Sequence, residues 1–185
     1  MARVHGEKVI TRRNDIDQKN HYRFYMSELK EDFHCICGYC GKSINVTKYP
    51  FEPDHFVPKT LSPEREHDYT NLVYSCFQCN RKKGKKWPTA NALIPHDGKQ
   101  GFVDPATTEY DIHLKRDCAG RIVSRSEVGE YMIKTFKFDS RPIKEIWGAM
   151  LLYDRYNLLL DQGENTNPVS RELFDILNFF FETKE

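Results

Sequence analysis

The chain has 185 residues, 39% apolar and 13% aromatic, which is enough for a packed core and excludes a disordered polymer. Lys and Arg number 28 against 27 Asp and Glu, so at a net charge of +1 any contact with a polyanion must come from local clustering. The polar N-terminus lacks the apolar centre of a signal peptide and no apolar stretch approaches the roughly 18 residues of a membrane span, so no membrane partner is expected and the expected compartment is the cytoplasm, where thiols stay reduced.

Residues 1–17 are polar and are expected to be loosely ordered. Over 18–33, Tyr22, Tyr25, Met26 and Leu29 recur at helical spacing and predict a short amphipathic helix. Residues 35–87 open on Cys35-Ile36-Cys37-Gly38-Tyr39-Cys40-Gly41, where Gly38 and Gly41 suit a tight knuckle, and close on a basic run before Trp87-Pro88. Further on, 112–114 and 121–124 read as short strands joined through 117–120, and 131–138 is a candidate third strand. Pro142 opens a helix with Ile143, Ile146, Trp147, Met150 and Leu151 on one face. A loop at 162–167 leads to a last helix, started by Asn167-Pro168 and striped by Leu173, Ile176, Leu177, Phe180 and Phe181. The chain thus divides into an N-terminal helical segment (1–34), a core that carries the chemistry (35–90) and a C-terminal extension (91–185), packed on the core as one domain.

Six cysteines in a reducing compartment, four of them in two CxxC pairs, point to metal before disulfides. In Cys37-x-x-Cys40 and Cys76-x-x-Cys79 the two-residue gap lets both thiolates of a pair reach one ion, and two pairs complete a tetrahedral shell. Such a site has no open position and is structural. The doubled spacing argues against four ordinary buried cysteines. The lack of any other redox feature argues against an iron–sulfur cluster, so structural Zn2+ is the expected occupant. Cys35 does not match the spacing of the second pair, and Cys118 falls in a turn.

Between the pairs lie Asp54-His55 and Asn71-Leu72, and after them Asn80 and Lys83-Gly84. This ordered combination, over about 37–86, resembles the HNH (His-Me finger, ββα-metal) nuclease family. The resemblance implies an α+β fold: a ββα-metal core with zinc knuckles, flanked by the N-terminal helix and a C-terminal β-hairpin plus helices. It places Asp54-His55 on the first strand, Asn71 in the loop between strands, and Asn80 on the following helix. It makes Asp54 and Asn80 ligands of a catalytic divalent ion and gives His55 the general base's role, which a neutral imidazole suits. Asn71 is expected to orient His55 through a carbonyl oxygen. Many family members carry histidine where this chain has Asn80. This HNN form, offering oxygen, goes with Mg2+ or Mn2+.

The run Arg81, Lys82, Lys83, Lys85, Lys86 is most simply a solvated face, but beside a metal site it suits a phosphate clamp; Lys83, one turn beyond Asn80, is the leading candidate and Lys59 a further one. His5, His21, His34, His67, His96 and His113 receive no role. Segments 101–105, 112–114 and 120–123 resemble a C-terminal extension of some bacterial HNH proteins, including ones associated with antiphage systems. The expected function is therefore Mg2+- or Mn2+-dependent hydrolysis of DNA phosphodiester bonds. The alternatives are a nuclease subunit of a larger bacterial defence complex and a non-catalytic zinc-dependent nucleic-acid-binding module. The Phe-rich C-terminal helices suit a homodimer or protein-partner contact.

Overall fold

The stripe Tyr22, Tyr25, Met26 and Leu29 winds first as a 3-10 turn (Tyr22–Tyr25) and then as helix α1 (Met26–Asp32), burying Tyr25 and Leu29 completely. The computed structural model describes residues 2–161. After α1 come strand β1 (Phe51–His55), strand β2 (Leu72–Cys76) and helix α2 (Phe77–Lys83). The extension adds α3 (Tyr110–His113), β3 (Leu114–Arg116), β4 (Ile122–Ser124), α4 (Glu127–Phe136) and α5 (Ile143–Asp161). The elements make an α+β fold, in which two antiparallel hairpins are covered by helices.

β1 pairs antiparallel with β2, from Phe51 opposite Cys76 to His55 opposite Leu72. The chain passes from β2 straight into α2, with Cys76 as the helix's N-cap residue. This short hairpin and its two-turn helix could not bury a core alone. Tyr25, Leu29 and Phe33 cover it from the N-terminal side, and Phe102, Tyr110, Val128, Met132 and Phe136 close the same buried cluster from the extension.

Several expectations change. Residues 1–17 are not loose: Val4 and Ile10 are buried, and Arg12 pairs with Asp104 at 2.8 Å and donates to the Leu72 carbonyl at 2.7 Å. The strand expected at 112–114 starts two residues later, because 110–113 forms the helical turn α3. The candidate strand at 131–138 is helix α4, ended by Lys137 at φ 54°. Ser126 caps α4 by accepting the Gly129 N–H, and Val128, Met132 and Phe136 are its buried face, four residues apart as a helix requires. On α5, Ile143 and Met150 are buried as expected, but Leu151 is 52% exposed. The loop at 162–167 and the last helix lie outside the described residues. Among the described residues, no helix is long and apolar enough to cross a membrane.

Candidate functional site

The first cysteine pair sits in a knuckle closed by two backbone bonds, Cys37 N–H to Lys42 O and Gly41 N–H to Cys37 O, both 2.8 Å. Gly41 has φ +70°, and a Cβ there would lie 2.6 Å from the Val4 carbonyl oxygen, so glycine is required. The second pair ends β2 and opens α2. All four sulfurs are buried and lie within 4.8 Å of one another. Cys40 Sγ and Cys76 Sγ are 3.9 Å apart. Zn–S bonds of about 2.3 Å in a tetrahedron give edges of about 3.8 Å, whereas a disulfide needs about 2.05 Å. The four cysteines fit a zinc site. Cys35 and Cys118 stand outside it.

Sequence reasoning missed what surrounds these sulfurs. Arg141 Nη1 donates to Cys79 Sγ at 3.3 Å, and Nη2 lies 3.9 Å from Cys76 Sγ and 4.0 Å from Cys40 Sγ. Burial alone would lower its pKa, but the sulfurs of Cys79 and Cys40 outweigh burial and raise it. A fixed positive charge thus faces the excess negative charge that four thiolates bring. Arg116, almost wholly buried, donates to the Cys40 carbonyl at 2.7 Å. His5 Nε2 reaches the Gly38 carbonyl at 2.6 Å, and burial pushes its pKa down to about 4, so the ring is neutral with the proton on Nε2.

Asp54 and His55, neighbours on β1, point to opposite faces as the two-residue period requires. Asp54 is buried; its Oδ2 accepts from Tyr39 Oη at 2.6 Å and pairs with Lys83 Nζ at 3.3 Å. Burial raises its pKa against the opposing pull of Lys83 and Tyr39. Both contacts fall on Oδ2, so Oδ1 is the oxygen Asp54 would offer a cation. Asn80 Nδ2 donates to Glu52 Oε2 at 2.6 Å. Glu52 precedes Asp54 by two residues and so shares its face of β1, and its bond to Nδ2 leaves Oδ1 as the acceptor that Asn80 would offer. Glu52 was not anticipated, although the strand period two positions before Asp54 would have found it. Carboxylate and amide oxygens are the donor type that a hard divalent ion prefers.

His55 is half-buried, with its Nε2 2.8 Å from the Glu66 carbonyl oxygen. A carbonyl only accepts, so Nε2 carries the proton and Nδ1 keeps its lone pair. Burial lowers the pKa of the ring, which favours the neutral form. Tyr22 meets the ring edge-on, with centroids 4.8 Å apart. The partner of His55 is therefore Glu66 and not Asn71. Asn71 is buried, accepts the Val57 N–H on Oδ1 at 2.8 Å and donates from Nδ2 to the Val57 carbonyl at 3.0 Å, while its own carbonyl takes the Phe56 N–H at 2.8 Å. It closes the base of the 56–71 loop that carries Glu66. Asn71→Ala would leave both Val57 groups unpaired, and a loss of about 2–6 kcal/mol is expected in urea denaturation, at about 1–3 kcal/mol per buried unpaired group.

The basic residues separate. Lys83 is fully buried, donates to the His55 carbonyl at 2.6 Å and has its pKa lowered by burial, so it bolts α2 to β1 and cannot reach a phosphate. Arg81 is exposed, lies 4.9 Å over the Phe77 ring and 3.6 Å from Glu52. Lys85 and Lys86 are exposed and Lys82 half-buried at the end of α2, beside the Gly84 turn. Lys59 pairs with Glu66 at 2.7 Å, on the residue whose carbonyl holds His55.

Residues 37–86 match the family model for HNH endonuclease and make up an HNH domain. The chain is 31% identical over 140 residues to the Septu protein PtuB of Bacillus mycoides (strain KBAB4), covering 63% of this chain and 47% of that protein. It is 36% identical over 62 residues to the Septu protein PtuB of Bacillus thuringiensis, covering 31% of this chain and 24% of that protein. The chain spans about half the length, or less, of these curated relatives. No solved structure matches it significantly.

Proposed function

We propose that this chain is an endonuclease that hydrolyses DNA phosphodiester bonds with Mg2+ or Mn2+, in the cytoplasm. The observation that carries the reading is His55, locked by the Glu66 carbonyl with an unprotonated Nδ1, on the strand that also presents Asp54 and Glu52. A base must be neutral and aimed before it can take a proton from water, and this ring is both. Asp54 Oδ1 and Asn80 Oδ1 would hold the divalent ion. When bound, that ion supplies positive charge to the scissile phosphate and the leaving oxygen. Glu52 sets the Asn80 amide, and Lys83 ties Asp54 to the His55 carbonyl so that base and ligand keep one geometry. Arg81, Lys82, Lys85, Lys86 and Lys59 would steer the backbone of the nucleic acid. The cysteines, with Zn2+, hold the site together and take no part in cutting.

A second reading, a nuclease subunit of a larger bacterial defence complex, draws on the likeness to the Septu proteins. The two readings share the same chemistry. Plasmid, single-stranded DNA and RNA, each labelled and incubated with the chain in Mg2+, in Mn2+ and in chelator, test it. Cleavage of DNA in either ion and none in chelator is the expected result. Cleavage of RNA alone, or of none of the three substrates, would sink the proposal.

A further inference from the structure

Outside the HNH domain, three side chains with no role in the cutting site converge on one point. His96 Nε2 and His113 Nε2 both aim at the same carboxylate oxygen, Glu109 Oε1, from 2.9 Å and 3.6 Å. Their rings lie edge to face with centroids 5.4 Å apart, and all three donor atoms fall within 4.8 Å of one another. We propose that His96, Glu109 and His113 form a second divalent-metal site, for which Zn2+ is the best-suited ion.

A hydrogen bond accounts for His96 on Glu109 but not for His113, whose ring proton goes to Ser126. The longer approach exceeds a hydrogen bond. An ion with bonds of about 2.1 Å to nitrogen and oxygen separates tetrahedral donors by about 3.4 Å, and the two observed approaches bracket that value. Two imidazoles and a carboxylate are a borderline donor set, which favours Zn2+ over Mg2+. Three protein ligands leave a fourth position for water.

The backbone holds the donors in place from different parts of the chain. His96 pairs with Gly101 across a tight turn, and a Cβ at Gly101 would lie 2.2 Å from the Pro95 oxygen. Glu109 and His113 lie one helical turn apart across α3. His113 is anchored through its other nitrogen: Nδ1 lies 2.6 Å from Ser126 Oγ, the same oxygen that caps α4. With Nδ1–H donating to Ser126, Nε2 is left unprotonated for an ion, the outer-shell arrangement that metal-bound histidines use. His96 must change tautomer. Its Nδ1 now accepts the Gly98 N–H at 3.3 Å, so on loading the ring proton moves from Nε2 to Nδ1 and that long contact is given up. An ion here would join the 95–101 turn, α3 and the start of α4 across the face of the extension.

The test is zinc per chain, measured by plasma mass spectrometry on the 185-residue chain after equilibration with Zn2+ and removal of excess ion. The unmodified chain should hold one equivalent more than the four-cysteine site accounts for. His96→Ala and Glu109→Gln should each lose that extra equivalent, or bind it at least tenfold more weakly, while keeping a native circular-dichroism spectrum. Asp54→Ala should keep it, which separates this site from the cutting site. A single equivalent in the unmodified chain overturns the proposal. So does an extra equivalent that survives both His96→Ala and Glu109→Gln, or one that Asp54→Ala abolishes.

Discussion

Replacing Cys76 with Ser is expected to release zinc and collapse the hairpin and α2 together. Cys76 ends β2, is the N-cap residue of α2, and is 1% exposed. One change therefore removes a thiolate at the junction of the two elements that carry Asp54, His55 and Asn80. Structural zinc contributes about 10–16 kcal/mol in small zinc-dependent units at neutral pH, as much as or more than the roughly 5–15 kcal/mol that holds a whole domain folded. The loss would also remove one of the three sulfurs that face the part-buried Arg141 guanidinium. Zinc analysis and a thermal melt followed by circular dichroism check this. A zinc-free Cys76→Ser chain that melts like the parent would show that the four cysteines are not the frame of the site.

The second large effect is kinetic. His55→Ala should reduce Mg2+-dependent DNA cleavage about 100- to 10,000-fold, the range for loss of a general base, with zinc content and melting temperature close to the parent's. The side chain is half-buried and makes one ring-nitrogen hydrogen bond, to the Glu66 carbonyl, so its removal leaves the Lys83 contact to the His55 backbone intact. Single-turnover rates on a labelled plasmid decide the matter. Parent-like rates in His55→Ala would remove this residue from the chemistry.

The two CxxC pairs and the strand–loop–strand–helix order were legible because each rests on local spacing or on an ordered motif. What escaped were contacts made by backbone atoms or across long loops. The Glu66 carbonyl that holds His55 leaves no mark on residue identity, since any residue at 66 would supply it. Asn71 was recognised as important, but its partner is Val57. Arg141 and His5 reach the zinc knuckle only once the chain has folded around it. Two errors could have been avoided. Lys83 lies four residues after the buried Cys79, so helical period alone predicts its burial. The β-rich look of Tyr131-Met132-Ile133 hid a helix that Ser126 and the four-residue spacing of Val128, Met132 and Phe136 announce.

The central claim separates a zinc frame that does not cut from an oxygen-donor centre that does. The most direct measurement is plasmid cleavage by the zinc-loaded chain, before and after addition of Mg2+, set beside Asp54→Ala at equal zinc content. The account predicts no cleavage with zinc alone, cleavage once Mg2+ is added, and none in Asp54→Ala under either condition. Cleavage without Mg2+, or equal cleavage by Asp54→Ala, would contradict it.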